Sequence, residues 1–274
     1  MNQVVDINWL DLATFSLILC IPLFINMHYK LGLARDSVIS VIRMTIQLFL
    51  VGLYLEYLFQ LNSLAINLAW LVIMVVVGAS AIINKANLPQ NALILPLIAG
   101  LTCSLFPLLA AISFGLVKPQ PFYNSQYMIP LAGMLLGNSL SSNIVALQNL
   151  FTAFEQRKSE YEAAISLGAS PKYASFPFIQ EALRKSLAPI LASMATTGLV
   201  TLPGMMTGQI LGGASPMIAI KYQLVIMLAI FVMLSVSVAL TLELTLRCVQ
   251  TKEGRITVKF TPEKRSKNTQ QKNS

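Results

Sequence analysis

The sequence predicts an all-α, polytopic integral membrane protein with about seven transmembrane helices, its N-terminus outside and its C-terminus cytoplasmic. Three observations predict it. Of the 274 residues, 55% are hydrophobic and only 11% are charged, with a mean hydropathy of +0.69; a soluble domain carries about 25% charged residues. The apolar residues fall in repeated runs of roughly 20, the length at which a helix crosses about 30 Å of hydrocarbon. The basic residues are distributed unequally around those runs, as the positive-inside rule requires.

Seven runs follow in order: Trp9–Met27, Val38–Phe59, Leu64–Ile83, Ala92–Leu116, Met128–Leu147, Leu187–Ile210 and Tyr222–Leu246. Residues 1–8 carry Asp6 and no Lys or Arg, the wrong flank for a cleaved signal, so the first span is expected to be retained. It ends at His28, the sole histidine; a histidine metal site would need another. Cys20 and Cys103 lie within spans and Cys248 just after the last, which makes no disulfide framework. In the second run, Arg43 and Gln47 stand one turn apart on one helix face. Arg43 lies about 8 Å along the helix from Val38, so two readings stand: it snorkels to the cytoplasmic interface, or it lines a pathway. Glu56 and Glu243 lie near span ends and read as interfacial.

The fifth run is unusually polar. Gly133 and Gly137 form a GxxxG pair that permits close helix approach, and Asn138, Ser139, Ser141, Ser142 and Asn143 follow directly. That cluster is either interhelical glue or pathway lining. The sixth run contains Gly198-Leu-Val-Thr-Leu-Pro-Gly-Met-Met-Thr-Gly-Gln-Ile-Leu-Gly-Gly-Ala-Ser-Pro216. Pro203 cannot donate to the Leu199 carbonyl, so the span should kink or break there. Gly204, Gly208 and Gly212 recur every four residues as a smooth stripe, expected to meet the Gly133/Gly137 face. Thr207 and Gln209 can satisfy freed backbone groups. Met205 and Met206 are either packing or soft metal ligands.

Basic residues fix the orientation. The inner segments hold Lys30, Arg35, Lys85, Arg157, Lys158, Lys172, Arg184, Lys185 and the basic tail, against Lys118 and Lys221 outside. Residues 1–246 therefore form a transmembrane domain. Residues 247–274 form a basic cytoplasmic tail, expected to be largely disordered and to lie on anionic membrane lipid. The net charge of +8 is what this topology already requires, and no nucleic-acid partner is expected.

The longest segment between spans, residues 151–186, lies inside. Phe151–Leu167 reads as one helix, with Glu155 placed to pair with Lys158. Gly168 should stop it. Ser170 then caps a second helix that has Pro171 at its first position, and Pro177 should end or kink that helix. Arg157, Glu160 and Lys185 can form a polar rim. Glu162-Ala163-Ala164, followed after three residues by Gly168-Ala169-Ser170-Pro171, resembles the EAA loop of ABC-transporter permeases, although that loop's later Ile-x-Leu-Pro is absent. The alternative is a solvated connector.

Three blocks carry a closer resemblance. They are Arg43 to Gly52 with Gln47, Pro130 to Asn138 with Gly133, Met134 and Gly137, and Gly198 to Gly208 with Pro203, Gly204, Met205 and Met206. Together they resemble the FetB-like family, permease subunits of iron-export ABC transporters related to plant aluminium-tolerance proteins. The resemblance runs over about residues 10–246 and implies a partner ABC ATPase and a role in metal homeostasis. The chain has no G-x-x-x-x-G-K-[ST] motif, so it is expected to be no enzyme and to hold no cofactor, with ATP and Mg on the partner. The expected assembly is a homodimer with two ATPase copies in a bacterial cytoplasmic membrane. The rival readings are an ATP-independent secondary transporter or channel, and a seven-span receptor.

Overall fold

A backbone threaded through hydrocarbon has only itself for a hydrogen-bond partner. The computed structural model, which describes residues 7–251, accordingly consists of helices joined by short turns. They are α1 (Trp9–Phe15), which runs through a 3-10 turn into α2 (Cys20–His28), α3 (Ala34–Leu61), α4 (Leu64–Ala86), α5 (Gln90–Ala110, prolonged by a π-helical turn at Ala111–Val117), α6 (Ser125–Gln156), α7 (Lys158–Ser166), α8 (Pro171–Thr196), α9 (Gly204–Leu211) and α10 (Pro216–Val249). Six helical stretches are long and apolar enough to cross a membrane: Trp9–His28, Ala34–Leu61, Leu64–Ala86, Ala92–Val117, Ser125–Gln156 and Pro216–Val249. The tail beyond residue 251 lies outside the described residues, and α10 carries three residues of the expected tail as helix, to Val249.

The core lies where α5, α6 and α10 meet, with α4 and α8 packed around them. On α5, Leu93, Leu97, Leu101 and Leu105 recur every four residues and are fully buried, a stripe that one helical face lays against its neighbours. Gly100 sits beside that stripe because α10 passes against its backbone. A Cβ built there would stand 2.5 Å from Thr241 Oγ1 and 3.2 Å from the Thr241 amide nitrogen. On the α6 face, the buried polar cluster of the fifth run splits in two. Ser139 and Asn143 are fully buried and bond across to α10: Asn143 Nδ2 donates to Ser237 Oγ at 3.1 Å, and the Ser139 and Ser237 hydroxyls are 3.1 Å apart. Asn138 and Ser141 remain exposed.

Asparagines close the ends of the body. Asn62 ends α3 in the left-handed conformation, and its Oδ1 accepts from the Ser125 amide at 3.1 Å. Asn67 Nδ2 donates to the Tyr123 carbonyl at 2.6 Å. These bonds tie the α3–α4 turn to the start of α6. By contrast, α1 to α3 stand apart from the core. Of the 28 residues of α3 only Leu58 is buried, and its ring contact with the body is Tyr54 against Trp70, centroids 4.3 Å apart.

The close approach at Gly100 generates a stability prediction. Gly100→Ala forces α5 and α10 apart, and overpacking of this kind costs about 1–3 kcal/mol. The variant should unfold at lower temperature in detergent, while Gly52→Ala, which meets nothing within 4 Å, should not. Equal melting of the two variants would show that the α5–α10 contact is not tight.

Candidate functional site

The longest segment between the apolar runs folds into a knob. α7 ends at a turn in which Gly168 takes φ +92°, a conformation that favours glycine. Its amide donates to the Ile165 carbonyl, and the Ala169 amide to that of Ala164, each at 3.0 Å. Ser170 caps α8, its Oγ accepting from the Tyr173 amide at 3.3 Å, and Pro171 occupies the first helical position. Of the expected coupling residues, Glu162, Ala163, Gly168 and Ser170 are exposed, while Ala164, Ala169 and Pro171 are half-buried. What the residue types did not show is an apolar tip. Leu167 is 89% exposed, Tyr173 76% and Phe176 59%.

Three local expectations are corrected. Phe151–Leu167 is not one helix: α6 runs to Gln156 and breaks at Arg157 (φ −115°, ψ 34°). From there the Arg157 guanidinium meets Glu160 at 2.6 Å and Glu181 at 3.0 Å, and lies 4.9 Å from the centre of the Phe178 ring. Lys158 pairs with Glu162 at 3.4 Å, not with Glu155. Nor does Pro177 end the second helix. α8 continues through Pro177 and Pro189 to Thr196; Pro177 is on the exposed side, where water can reach the carbonyl its ring leaves unbonded.

Beneath the knob lies an aromatic plinth. Phe154 of α6 stacks on Phe178 of α8 with centroids 4.5 Å apart, and Tyr161 of α7 meets both edge-on. Gln250, just past α10, donates from Nε2 to Tyr161 Oη at 2.6 Å and to the Pro171 carbonyl at 3.3 Å. Burial raises the Tyr161 hydroxyl pKa, partly offset by the bond from Gln250. Lys185 bonds Glu181 at 2.8 Å and with Arg157 holds its carboxyl below the ordinary glutamate value; the bond from Arg157 does the same for Glu160. Both carboxylates are lowered, so any stability they supply is present above the ordinary glutamate range and is lost as pH falls through the lowered values.

The sixth run is broken outright. The break begins at Thr197, six residues before Pro203, and Pro203 starts α9 instead of kinking a continuous span. Gly198 takes φ +89°, and the amides of Leu199, Val200 and Thr201 all turn back onto the Thr196 carbonyl. Thr207 Oγ1 donates to the Pro203 carbonyl at 3.2 Å, as expected, whereas Gln209 Oε1 is buried without a partner among the described residues. Met205 and Met206 are half-buried, Met205 against the core.

The expected meeting of the two glycine faces is not made within the chain. α9 packs on α10. A Cβ on Gly204 or Gly208 would meet nothing within 4 Å, one on Gly137 likewise, and one on Gly133 would touch Met74 of α4. Arg43 and Gln47 lie on exposed α3, bordering a shallow groove lined by Ile39, Ile42, Arg43, Ile46 and Gln47, all of one helix. Asn138 Nδ2 bonds back to the Met134 carbonyl at 2.8 Å. Among the described residues no group of three His, Cys, Asp or Glu side chains could hold a metal ion.

The family model described as "Uncharacterised protein family (UPF0014)" matches residues 9–249. The chain belongs to the UPF0014 family. Its relatives are similar over most of their length. "Protein ALUMINUM SENSITIVE 3" of Arabidopsis thaliana is 35% identical over 218 residues, 78% of this chain and 77% of the relative. "UPF0014 membrane protein YjkA" of Bacillus subtilis is 32% identical over 80% of this chain and 86% of its own. "Probable iron export permease protein FetB" of Escherichia coli is 32% identical over 79% and 82%. No solved structure matches. The FetB-like resemblance read from the residue blocks therefore holds, and this UPF0014 protein is a multi-pass membrane protein.

The plinth generates a second prediction. Phe178 is 2% exposed, and truncating a buried phenylalanine costs about 3–5 kcal/mol. In Phe178→Ala, trypsin should cut at Arg157 and Lys158 much faster than in the parent chain, with a lesser effect on cleavage elsewhere. Unchanged cleavage would show that the plinth does not hold α7.

Proposed function

We propose that this chain is the membrane-spanning permease subunit of an ABC transporter, working as a homodimer with two copies of a separate ATPase subunit that binds ATP and Mg. The observation that carries the reading is the knob: a capped, rigid turn with an apolar tip, fastened through the plinth to α6, α8 and α10. Leu167, Tyr173 and Phe176 are anchors of the kind that fill a partner's groove, with the Arg157–Glu160–Glu181–Lys185 charges as their rim. Force applied at the tip reaches three membrane helices through buried side chains. This chain supplies coupling and pathway; hydrolysis belongs to the partner.

In this reading α8, the break and α9 together make a broken crossing. With the six long stretches that gives seven, N-terminus outside and C-terminus inside, in a bacterial cytoplasmic membrane with its tail on anionic lipid. The cargo is iron or another metal ion, exported; the name of the Escherichia coli relative supports this. Glu162 to Pro171 form the coupling element, and Arg43, Gln47, Met134 and the segment from Pro203 to Gln209 belong to the translocation path.

Two experiments test it. Leu167→Asp places a charge on the tip without touching a span. It should insert normally yet lose co-purification with the ATPase and ATP-dependent metal efflux from vesicles. Efflux that persists without the ATPase would favour a secondary transporter or channel. For topology, a membrane-impermeant thiol reagent should label Lys118→Cys in intact cells and miss Cys248. The reverse pattern would put the knob on the wrong side.

A further inference from the structure

Two features of the protomer are unsatisfied at membrane depth, and they complement each other. The first is the break. The carbonyls of Gly198, Leu199, Val200 and Leu202 accept no hydrogen bond among the described residues. The loop is open, with Leu199 91% and Val200 79% exposed. Irregular backbone at this depth is tolerated only against protein or water. The second is α3, where the Arg43 guanidinium has donors, no acceptor, and no ion pair or hydrogen bond among the described residues. Gln47 above it is equally exposed. Their groove has one wall, since every residue lining it belongs to α3.

The depths agree. Thr196, at the lip of the break, lies eleven residues beyond Lys185, the last charge on α8. Gln47 lies eleven residues beyond Asp36 on α3. At 1.5 Å per residue each stands about 16 Å from its charged cytoplasmic edge, with Arg43 about 10 Å in. Close approach is sterically free on the other side too, because Gly204 and Gly208 are open to any neighbour.

We propose that the break of one copy is covered by the Arg43–Gln47 face of α3 from a second copy, so that the translocation site is completed only between copies. Donors of Arg43 and Gln47 then meet the free carbonyls of the partner's loop, and a two-fold axis makes the contact twice. This rests on the homodimer reading and specifies which residues each copy contributes.

The test uses the otherwise native chain with a photo-crosslinking phenylalanine derivative at position 47, mixed in the membrane with isotope-labelled copies. Adducts between labelled and unlabelled chains should map to residues 197–211. As a second measure, Gln47→Cys and Leu199→Cys chains bearing different tags, each lacking the native cysteines, should form a mixed disulfide that Val77→Cys, at an exposed position of α4, does not form with Leu199→Cys. Adducts to lipid or to another region of the second copy overturn the contact. If native mass spectrometry still finds dimers in that case, the homodimer reading survives and only this interface falls. If it finds monomers, both fall.

Discussion

A peptide group carried into hydrocarbon must find its hydrogen-bond partner in the protein, because leaving one unmet costs several kcal/mol. That constraint organises this molecule. It makes six of the seven long apolar runs helical stretches long enough to cross a membrane, and it explains why the ends of the body are closed by Asn62 and Asn67, whose side chains bond the backbone at Ser125 and Tyr123. It also makes the Thr197–Pro203 break the most consequential segment. Three amides fold back onto the Thr196 carbonyl, so part of the demand is met locally. The carbonyls left over face outward, and an element able to exist with unmet acceptors is one whose surroundings supply the donors.

The core shows the same constraint at lower cost. The α5 leucine stripe is apolar throughout, whereas the α6–α10 contact runs through Ser139, Asn143 and Ser237. On the α6 side, Asn143 Oδ1 has no partner among the described residues, and such a group costs about 1–3 kcal/mol. The α6–α10 contact is therefore specific in register but not maximally stable. The plinth joins the same two helices at their C-terminal ends, through Phe154 on one and Gln250 beyond the other. In the proposed transporter, a push on the knob would be passed to this α6–α10 contact.

Much of this was legible in the sequence. Six of the seven apolar runs, the Gly168 stop and the Ser170-Pro171 start need only periodicity and local backbone chemistry, and each stands where those rules place it. The remainder depended on information a linear pattern lacks. Pro203 announced a disruption, but the chain leaves the helix at Thr197, ahead of the positive φ at Gly198. Pro177 carries the same breaking chemistry and is overridden, because its freed carbonyl can be solvated. The apolar tip at Leu167, Tyr173 and Phe176 was missed because these residue types read as core until exposure is known. Arg157 read as rim, and its break from α6 follows from tertiary partners on α8.

The intramembrane side chains also bear on how a metal ion could be moved. Glu56 and Glu243 stay toward the ends of their helices, and Glu243 is engaged with Arg247 at 2.7 Å. Deeper positions offer amides and hydroxyls, the thioethers of Met205 and Met206, the cation of Arg43 and the thiols of Cys20 and Cys103, and among the described residues no three His, Cys, Asp or Glu side chains gather into a metal-holding group. Such donors hold a metal ion weakly compared with a cluster of carboxylates or imidazoles. A conduit must bind its cargo strongly enough to admit it and weakly enough to let it leave. A ligand cluster that released slowly would leave an ATP-driven cycle waiting on dissociation. Under the proposed function, weak donors around the break would leave the control of passage to the movement of helices, which is where the knob would deliver its force.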